Sequence, residues 1–172
     1  MGDVVMEIDE VGMDVIATFS GTIDVSGLPS DGTSEFFNTR LIPVVPIVSF
    51  SSGPFDFYNM TSTFQNLGFS ERTSPDSRTG DVFALADSRS GAPGVLGVAS
   101  GFTSRSVSGS MTFLNTDIAG LGLCEGVFTA ATANDTITLT VGDAIAAVPL
   151  PATLPLLLAG LGAVAMTRRK RG

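Results

Sequence analysis

The residues of this chain that could carry out catalysis are few, and their types exclude several classes of enzyme. The 172 residues include no histidine and one cysteine, Cys124. A serine or cysteine nucleophile activated by histidine is therefore excluded. Ser100 lies in residues 97–101 (GVASG), whose spacing G-x-x-S-G differs from the G-x-S-x-G of a nucleophile elbow. The sequence predicts no catalytic residue, and we expect that the protein is not an enzyme.

Carboxylates are the remaining candidates for acid–base chemistry or metal binding. Asp76, Asp81 and Asp87 lie in or beside polar segments, and a converging pair could act as in glycoside hydrolysis. Nothing in their spacing requires convergence, so a solvated acidic surface is the simpler interpretation. The sequence has no EF-hand spacing, no phosphate-binding loop and no dinucleotide fingerprint. We expect no metal and no cofactor, with calcium kept as the one metal that a histidine-free acidic surface could bind.

The single cysteine permits no disulfide bond within the chain. Free cysteine usually behaves as a small buried apolar residue, and this is the prediction for Cys124. A disulfide bridge to another molecule is the alternative.

Charge is distributed very unevenly along the chain. Residues 1–147 contain all 17 carboxylates and five of the nine lysines and arginines, which gives this part a net charge of −12. Such a charge repels the phosphates of nucleic acid and of anionic lipid, so we expect no nucleic-acid partner. The acidic part suits an extracytoplasmic module.

The elements that position these residues are predicted to be β-strands. Apolar residues or glycines alternate with mostly polar ones from Val11 to Ser26, which indicates a strand with one buried face. Val4, Met6 and Ile8 alternate with the opposite parity. The change of parity near residues 9–12 predicts a hairpin turn there.

Further strands are predicted along the rest of this region. Residues 41–48 favour extended chain, but Pro43 and Pro46 confine them to a sheet edge or an irregular ribbon. Residues 70–80 and 88–94 are predicted loops, and residues 115–121 a helical turn capped by Asn115–Asp117. The predicted strands cover residues 81–85, 104–114, 126–131 and 136–141. Their spacing indicates an all-β antiparallel sandwich, jelly-roll-like, over residues 1–142, with a linker at 143–147.

Aromatic residues are concentrated in the middle of the chain: Phe50, Phe55, Phe57, Tyr58, Phe64 and Phe69. We predict that most of them lie in the core, because aromatic side chains dominate core burial. A sugar-binding platform is the alternative. Such platforms usually expose Trp or Tyr, and this chain has no Trp and one Tyr.

The C-terminal segment has three parts in a fixed order. It begins with a proline-containing motif made of Val148, Pro149, Leu150, Pro151 and Ala152. An uncharged apolar run follows at 153–166, and the chain then has four adjacent cations, Arg168, Arg169, Lys170 and Arg171. Apolar residues followed by cations predict a transmembrane helix at about 152–167 with the basic tail as a cytoplasmic stop. The acidic body would then lie outside the cytoplasm.

This arrangement resembles the C-terminal sorting signal of the PEP-CTERM class, in its VPLPA-CTERM variety, found on exported proteins of Gram-negative bacteria. The resemblance implies that an exosortase, a membrane cysteine protease-transpeptidase, recognises residues 148–172 and cuts near the motif. The protein would be held in the inner membrane transiently, with its body in the periplasm, and then reach the cell surface or the medium. Short segments of the body, such as ATFSGTID at 17–24 and SGSMTF at 108–113, are similar to exported proteins of this class whose role is unassigned.

Export requires a signal peptide, and residues 1–7 (MGDVVME) lack its basic and apolar regions. The resemblance therefore leads us to expect such a signal upstream of Met1. A cytosolic protein with a C-terminal anchor is the competing interpretation, and it would place the basic tail against the positive-inside tendency.

Three functions of different classes remain at this point. The first is a structural or matrix protein of the cell surface, delivered by the sorting tail, with an extracellular polysaccharide as a possible partner. The second is a glycan- or calcium-binding module, and the third is an acid-catalysed hydrolase. A plain C-terminally anchored membrane protein is a further alternative to the sorting interpretation.

Overall fold

The computed structural model describes residues 2–37, 40–42, 47–50, 53–68, 72–86 and 94–142. These residues form twelve β-strands. Their bounds are β1 Asp3–Val11, β2 Asp14–Asp24, β3 Ser30–Phe37, β4 Arg40–Ile42, β5 Ile47–Ser49, β6 Gly53–Asn59, β7 Ser77–Gly80, β8 Phe83–Ala86, β9 Val95–Ala99, β10 Ser104–Phe113, β11 Gly126–Ala131 and β12 Thr136–Val141.

The strands form two six-stranded sheets that pack as a sandwich, as the sequence predicts. Sheet A has the order β11-β12-β1-β2-β10-β7, and sheet B has the order β3-β6-β9-β8-β5-β4. Every ladder between these strands is antiparallel except one, because β1 and β12 pair in parallel. The expectation of a purely antiparallel sandwich is wrong for this pair. The first and last strands both begin at the same end of sheet A, so they lie side by side in its interior as a parallel pair.

The predicted hairpin at the start of the chain is confirmed. Val11 of β1 pairs with Asp14 of β2, and Gly12 between them has a φ of 72°. A positive φ is readily adopted by glycine, which fits its place in the tight turn. Val15, Ala17 and Phe19 point into the core with the alternation that the sequence shows.

The core lies between the sheets and is filled by the inward residues of both. Phe19 of sheet A stacks on Phe83 of sheet B with ring centroids 4.7 Å apart, and it meets the Phe50 ring at 4.5 Å. Tilted and offset pairs of this kind favour close packing of aromatic rings. Phe50, Phe55 and Phe64 are buried as predicted, whereas Phe57 and Tyr58 are half-buried. Phe69 lies outside the described residues.

Several predicted strands are confirmed with small changes of boundary. The last two are found as predicted, at Gly126–Ala131 and Thr136–Val141, and β10 ends one residue earlier than expected. The strand expected at 81–85 begins instead at Phe83 and ends at Ala86. Residues 41–48 contribute two short paired strands, of which β4 is the edge of sheet B.

One local prediction is wrong. Residues 77–80 of the predicted loop form β7, the edge strand that pairs with β10. The predicted helical turn is found at its C-terminal part, where the N–H of Leu121 donates to the carbonyl oxygen of Asp117 at 3.1 Å and the Asp117 carboxylate accepts the N–H of Gly120. An edge strand needs no apolar face of its own, which explains why β7 escapes a pattern-based prediction.

The described residues include no helix that could serve as a membrane span. The predicted linker at 143–147, the motif at 148–152, the expected transmembrane helix at 152–167 and the basic tail all lie outside the described residues.

Candidate functional site

The chain leaves sheet A at one particular end, which we call the exit pole. At this end β1, β10 and β12 finish and β2 begins. Gly142 follows β12 here, and its N–H donates to the carbonyl oxygen of Ile8 at 2.8 Å. The predicted sorting motif begins six residues further along the chain, at Val148.

The last strand is an interior strand of its sheet. β12 is hydrogen-bonded to β11 on one side and to β1 on the other, and Ile137, Leu139 and Val141 are fully buried. Burial of such side chains contributes about 1.5–3 kcal/mol each. The strand that precedes the predicted motif is therefore firmly held within the described part of sheet A.

An open cleft of about 530 Å³ lies at the exit pole, beside the β1–β2 hairpin. Its lining residues come from the hairpin and from the turns after β10: Glu10, Gly12, Met13, Asn115, Thr116, Asp117 and Gly120. Met13 is 77% exposed, so the cleft has an uncovered apolar rim. No local pattern predicts this cleft, because its two walls are about 100 residues apart in the chain.

The two carboxylates of the cleft hold its wall in place. An oxygen of Glu10 accepts the backbone N–H of Ile118 at 2.9 Å, and an oxygen of Asp117 accepts that of Gly120. Both side chains belong to exposed residues. Within the described part of the chain, no group of three or more Cys, Asp or Glu residues could hold a metal ion. The arrangement orders the turns and gives the cleft polar hydrogen-bonding groups.

The aspartates singled out from the sequence do not form a catalytic pair. Asp76 and Asp81 flank β7 at its two ends, about 16 Å apart for five residues of extended chain. The carboxylate of Asp76 accepts the N–H of Leu114 at 2.8 Å, and that of Asp81 accepts the N–H of Ser108 at 2.9 Å. Both contacts fasten β7 to β10. Asp87 lies outside the described residues.

A carboxylate that the sequence did not single out accepts three hydrogen bonds from two other segments. Asp56 of β6 accepts the N–H of Gly101 at 2.8 Å, the hydroxyl of Thr33 at 2.8 Å and the hydroxyl of Ser100 at 3.0 Å. The Gly101 N–H and then the Thr33 hydroxyl hold the pKa of Asp56 below its usual value. The hydroxyl of Ser100 is thus bound to a structural carboxylate. Asp56 shares no sequence pattern with these partners, which are 23 to 45 residues away.

A second network joins three segments at the end of sheet A opposite the exit pole. Asp135 is 3% exposed, and its carboxylate accepts the N–H groups of Gly2 and Asp24. Asn134 donates to the carbonyl oxygens of Asp24 and Ser26. The Ser26 hydroxyl, followed by its backbone N–H, lowers the pKa of Asp24. These bonds order the turns at that end.

Cys124 is exposed, so the prediction of a buried cysteine is wrong. Leu121 and Leu123 beside it are buried, whereas Cys124 and Glu125 face solvent just before β11. The apolar neighbours of Cys124 indicate that the segment packs on the core. They do not determine which of its side chains point to solvent.

Comparison with protein-family models, with curated proteins and with solved structures found no match to this chain.

Proposed function

We propose that this chain is an exported structural protein of the cell surface or extracellular matrix, delivered through its C-terminal sorting signal. The observation that carries the proposal is the three-part C-terminal segment at 148–171, which follows a β-sandwich in the sequence. The last described strand of that sandwich, β12, lies in the interior of sheet A and has fully buried inward residues. The segment therefore follows a strand that is held on both sides.

The order of the C-terminal residues supports the same proposal. The chain has the proline-containing motif at 148–152, then the apolar run at 153–166, then the cations at 168–171. This is the order of the VPLPA-CTERM signal that the segment resembles. An apolar run with a terminal basic cluster inserts with its cations in the cytoplasm. The body would lie in the periplasm until an exosortase cuts the tail, and would then be at the surface or in the medium.

A structural role, not a catalytic one, agrees with the groups that the described residues bring together. The hydrogen-bonded carboxylates Asp56, Asp76 and Asp81 each accept backbone N–H groups that fasten a strand or a turn. Glu10 and Asp117 do the same at the cleft. These groups hold the domain in shape.

The proposal is tested by altering the tail in the native host. We compare the natural chain with a variant that carries Pro149→Ala and Pro151→Ala, and with one in which the cations at 168–171 are replaced by Gln. Arg72→Gln, at an exposed cation of the body, is the matched control. Fractionation and immunoblotting follow where the protein goes and its size.

We expect the natural chain and the control to leave the inner membrane in a shortened form. Both tail variants should lose this processing and accumulate at full length. Surface delivery of an unshortened natural chain would favour the plain membrane anchor. Equal processing of all four proteins would contradict the role of the tail.

A further inference from the structure

The outer face of sheet A presents hydroxyl groups in aligned rows. Strand register places Thr138, Ser20 and Ser108 in one row, and Thr140, Thr18 and Ser110 in the next. The intervening residues of these strands, such as Phe19, Val107 and Leu139, are buried on the other side. We call these six residues the hydroxyl face.

The hydroxyl face is largely free of bonds to the rest of the protein. Ser110 shares a hydrogen bond with Thr79 of β7, with their oxygens 3.0 Å apart. The other five hydroxyls make no hydrogen bond to any residue of the part of the chain that the structure describes. Each hydroxyl can both donate and accept, so the face offers donors and acceptors to an external partner.

The charge of this face restricts the kind of partner. Strand β1 lies between β12 and β2, so it contributes one residue to each row. These residues are Val5, 45% exposed, in the first row and Glu7 in the second. The outward positions of β1, β2, β10 and β12 carry carboxylates and no Lys or Arg. The face therefore repels polyanions such as nucleic acid or an acidic polysaccharide. Its many hydroxyls instead complement a neutral partner that is itself rich in hydroxyls.

We propose that the hydroxyl face is a docking surface for an uncharged polysaccharide. Adjacent strands are about 4.8 Å apart, and alternate residues of one strand about 6.7 Å apart, so the rows present closely spaced hydrogen-bonding groups to a polymer. Successive strands are rotated by roughly 20–25°, which a flexible sugar chain follows but a flat crystal surface such as ice does not. The face exposes no aromatic ring for stacking in its rows, so binding depends on many weak bonds along one polymer.

This inference rests on the matrix role within the proposed function and is independent of the processing of the tail. It is therefore tested on the purified full-length chain in mild detergent, by electrophoresis through native gels that contain a polymer. The probes are dextran and laminarin as neutral glucans, alginate as a polyanion and chitosan as a polycation.

The decisive variant removes one row of hydroxyls with little change of shape: Ser20→Ala, Ser108→Ala and Thr138→Val together. Its matched control makes the same three kinds of change at exposed residues outside the face, Ser62→Ala, Ser74→Ala and Thr103→Val. Circular dichroism verifies that each protein is folded. If the triple variant unfolds, Ser20→Ala and Ser108→Ala are measured singly.

We expect a neutral glucan to retard the natural chain and the control equally. The triple variant should bind about tenfold more weakly, and each single variant about two- to threefold, because each lost hydrogen bond removes a small contribution. Alginate should cause no retardation. The proposal is overturned if neither neutral glucan retards the natural chain, if the row variant binds as well as its control, or if chitosan alone binds. The proposal is also overturned if the retardation is explained by concentration-dependent association of the protein with itself, because the face would then bind a second copy of the chain.

Discussion

An oxygen of the Asp135 carboxylate accepts the backbone N–H of Gly2 at 2.6 Å, although 133 residues separate the two in the sequence. The other oxygen accepts the N–H of Asp24 at 2.8 Å. The turn that precedes the last strand thereby fixes the start of the first strand and the end of the second. This contact explains how the parallel pairing of β1 with β12 keeps its register.

Replacement of Asp135 by Asn should weaken this contact. Asn keeps one oxygen acceptor but loses the charge and the second acceptor, and one buried N–H is left without its partner. We expect the free energy of unfolding to fall by about 1–3 kcal/mol, measured by urea denaturation. Asp31→Asn, at an exposed residue of β3, is the control and should stay within about 0.5 kcal/mol of the natural chain. Equal stability of both variants would show that the Asp135 contact contributes nothing.

Gly109 of β10 should not tolerate a larger residue. A Cβ atom at this position would lie 2.4 Å from Cε1 of Phe19 and 2.7 Å from the carbonyl oxygen of Thr79. Phe19 is held by its stacking on Phe83, so the overlap is relieved only by a shift of the core or of β7. Gly109→Ala should therefore cost about 1–3 kcal/mol of unfolding free energy.

The matched control for this change is Gly53→Ala, at the start of β6. A Cβ atom there meets its nearest neighbour, a methyl group of Val82, at 4.0 Å. Thermal denaturation should show a lower melting temperature for the Gly109 variant than for the Gly53 variant. If the two variants melt together, the close approach around Gly109 is not a constraint on the fold.

Asp56 should make part of the stability dependent on pH. Its pKa is lowered in the folded state, chiefly by the Gly101 N–H and then by the Thr33 hydroxyl. A lowered folded-state pKa gives a contribution that is fully present above the unfolded value of about 3.9 and is lost as the pH falls through the folded value. Asp56→Asn should therefore destabilise the protein at pH 7 and much less at pH 3. Urea midpoints at both pH values test this, and an unchanged difference between them would refute it.

Thr33→Val provides a graded comparison for the same site. It removes one hydroxyl donor and leaves the Gly101 contact in place. We expect a loss of stability at pH 7 that is smaller than that of Asp56→Asn and that also diminishes at pH 3. A loss larger than that of Asp56→Asn would show that Thr33 acts through contacts other than the carboxylate.

The sequence predicts those strands that have one buried face, for a physical reason. Val15, Ala17 and Phe19 alternate with more exposed residues in β2, because successive side chains of a strand point to opposite faces, one towards the core and one towards solvent. β7 has no such pattern, since all four of its residues are exposed and its pairing depends on the backbone of β10. Its contact with β10 is close enough that a Cβ atom on Gly80 would lie 2.3 Å from the Cα of Gly109.

Features that join distant parts of the chain were not predictable from local patterns. The parallel pairing of β1 with β12 joins the two ends of the described region, and the alternation of either strand fits several partners. The acceptor role of Asp56 needs Thr33 and Gly101 to meet it from two other segments. The exposure of Cys124 depends on how the turn before β11 is oriented, which its apolar neighbours do not reveal.

We propose that the sandwich remains in the mature protein and that residues 148–172 are removed as a sorting signal. The most direct measurement is the intact mass of the mature protein isolated from the native host, with sequencing of its C-terminal peptide. We predict a chain that ends within residues 148–152. A mature surface protein that retains Arg168, Arg169, Lys170 and Arg171 would contradict it.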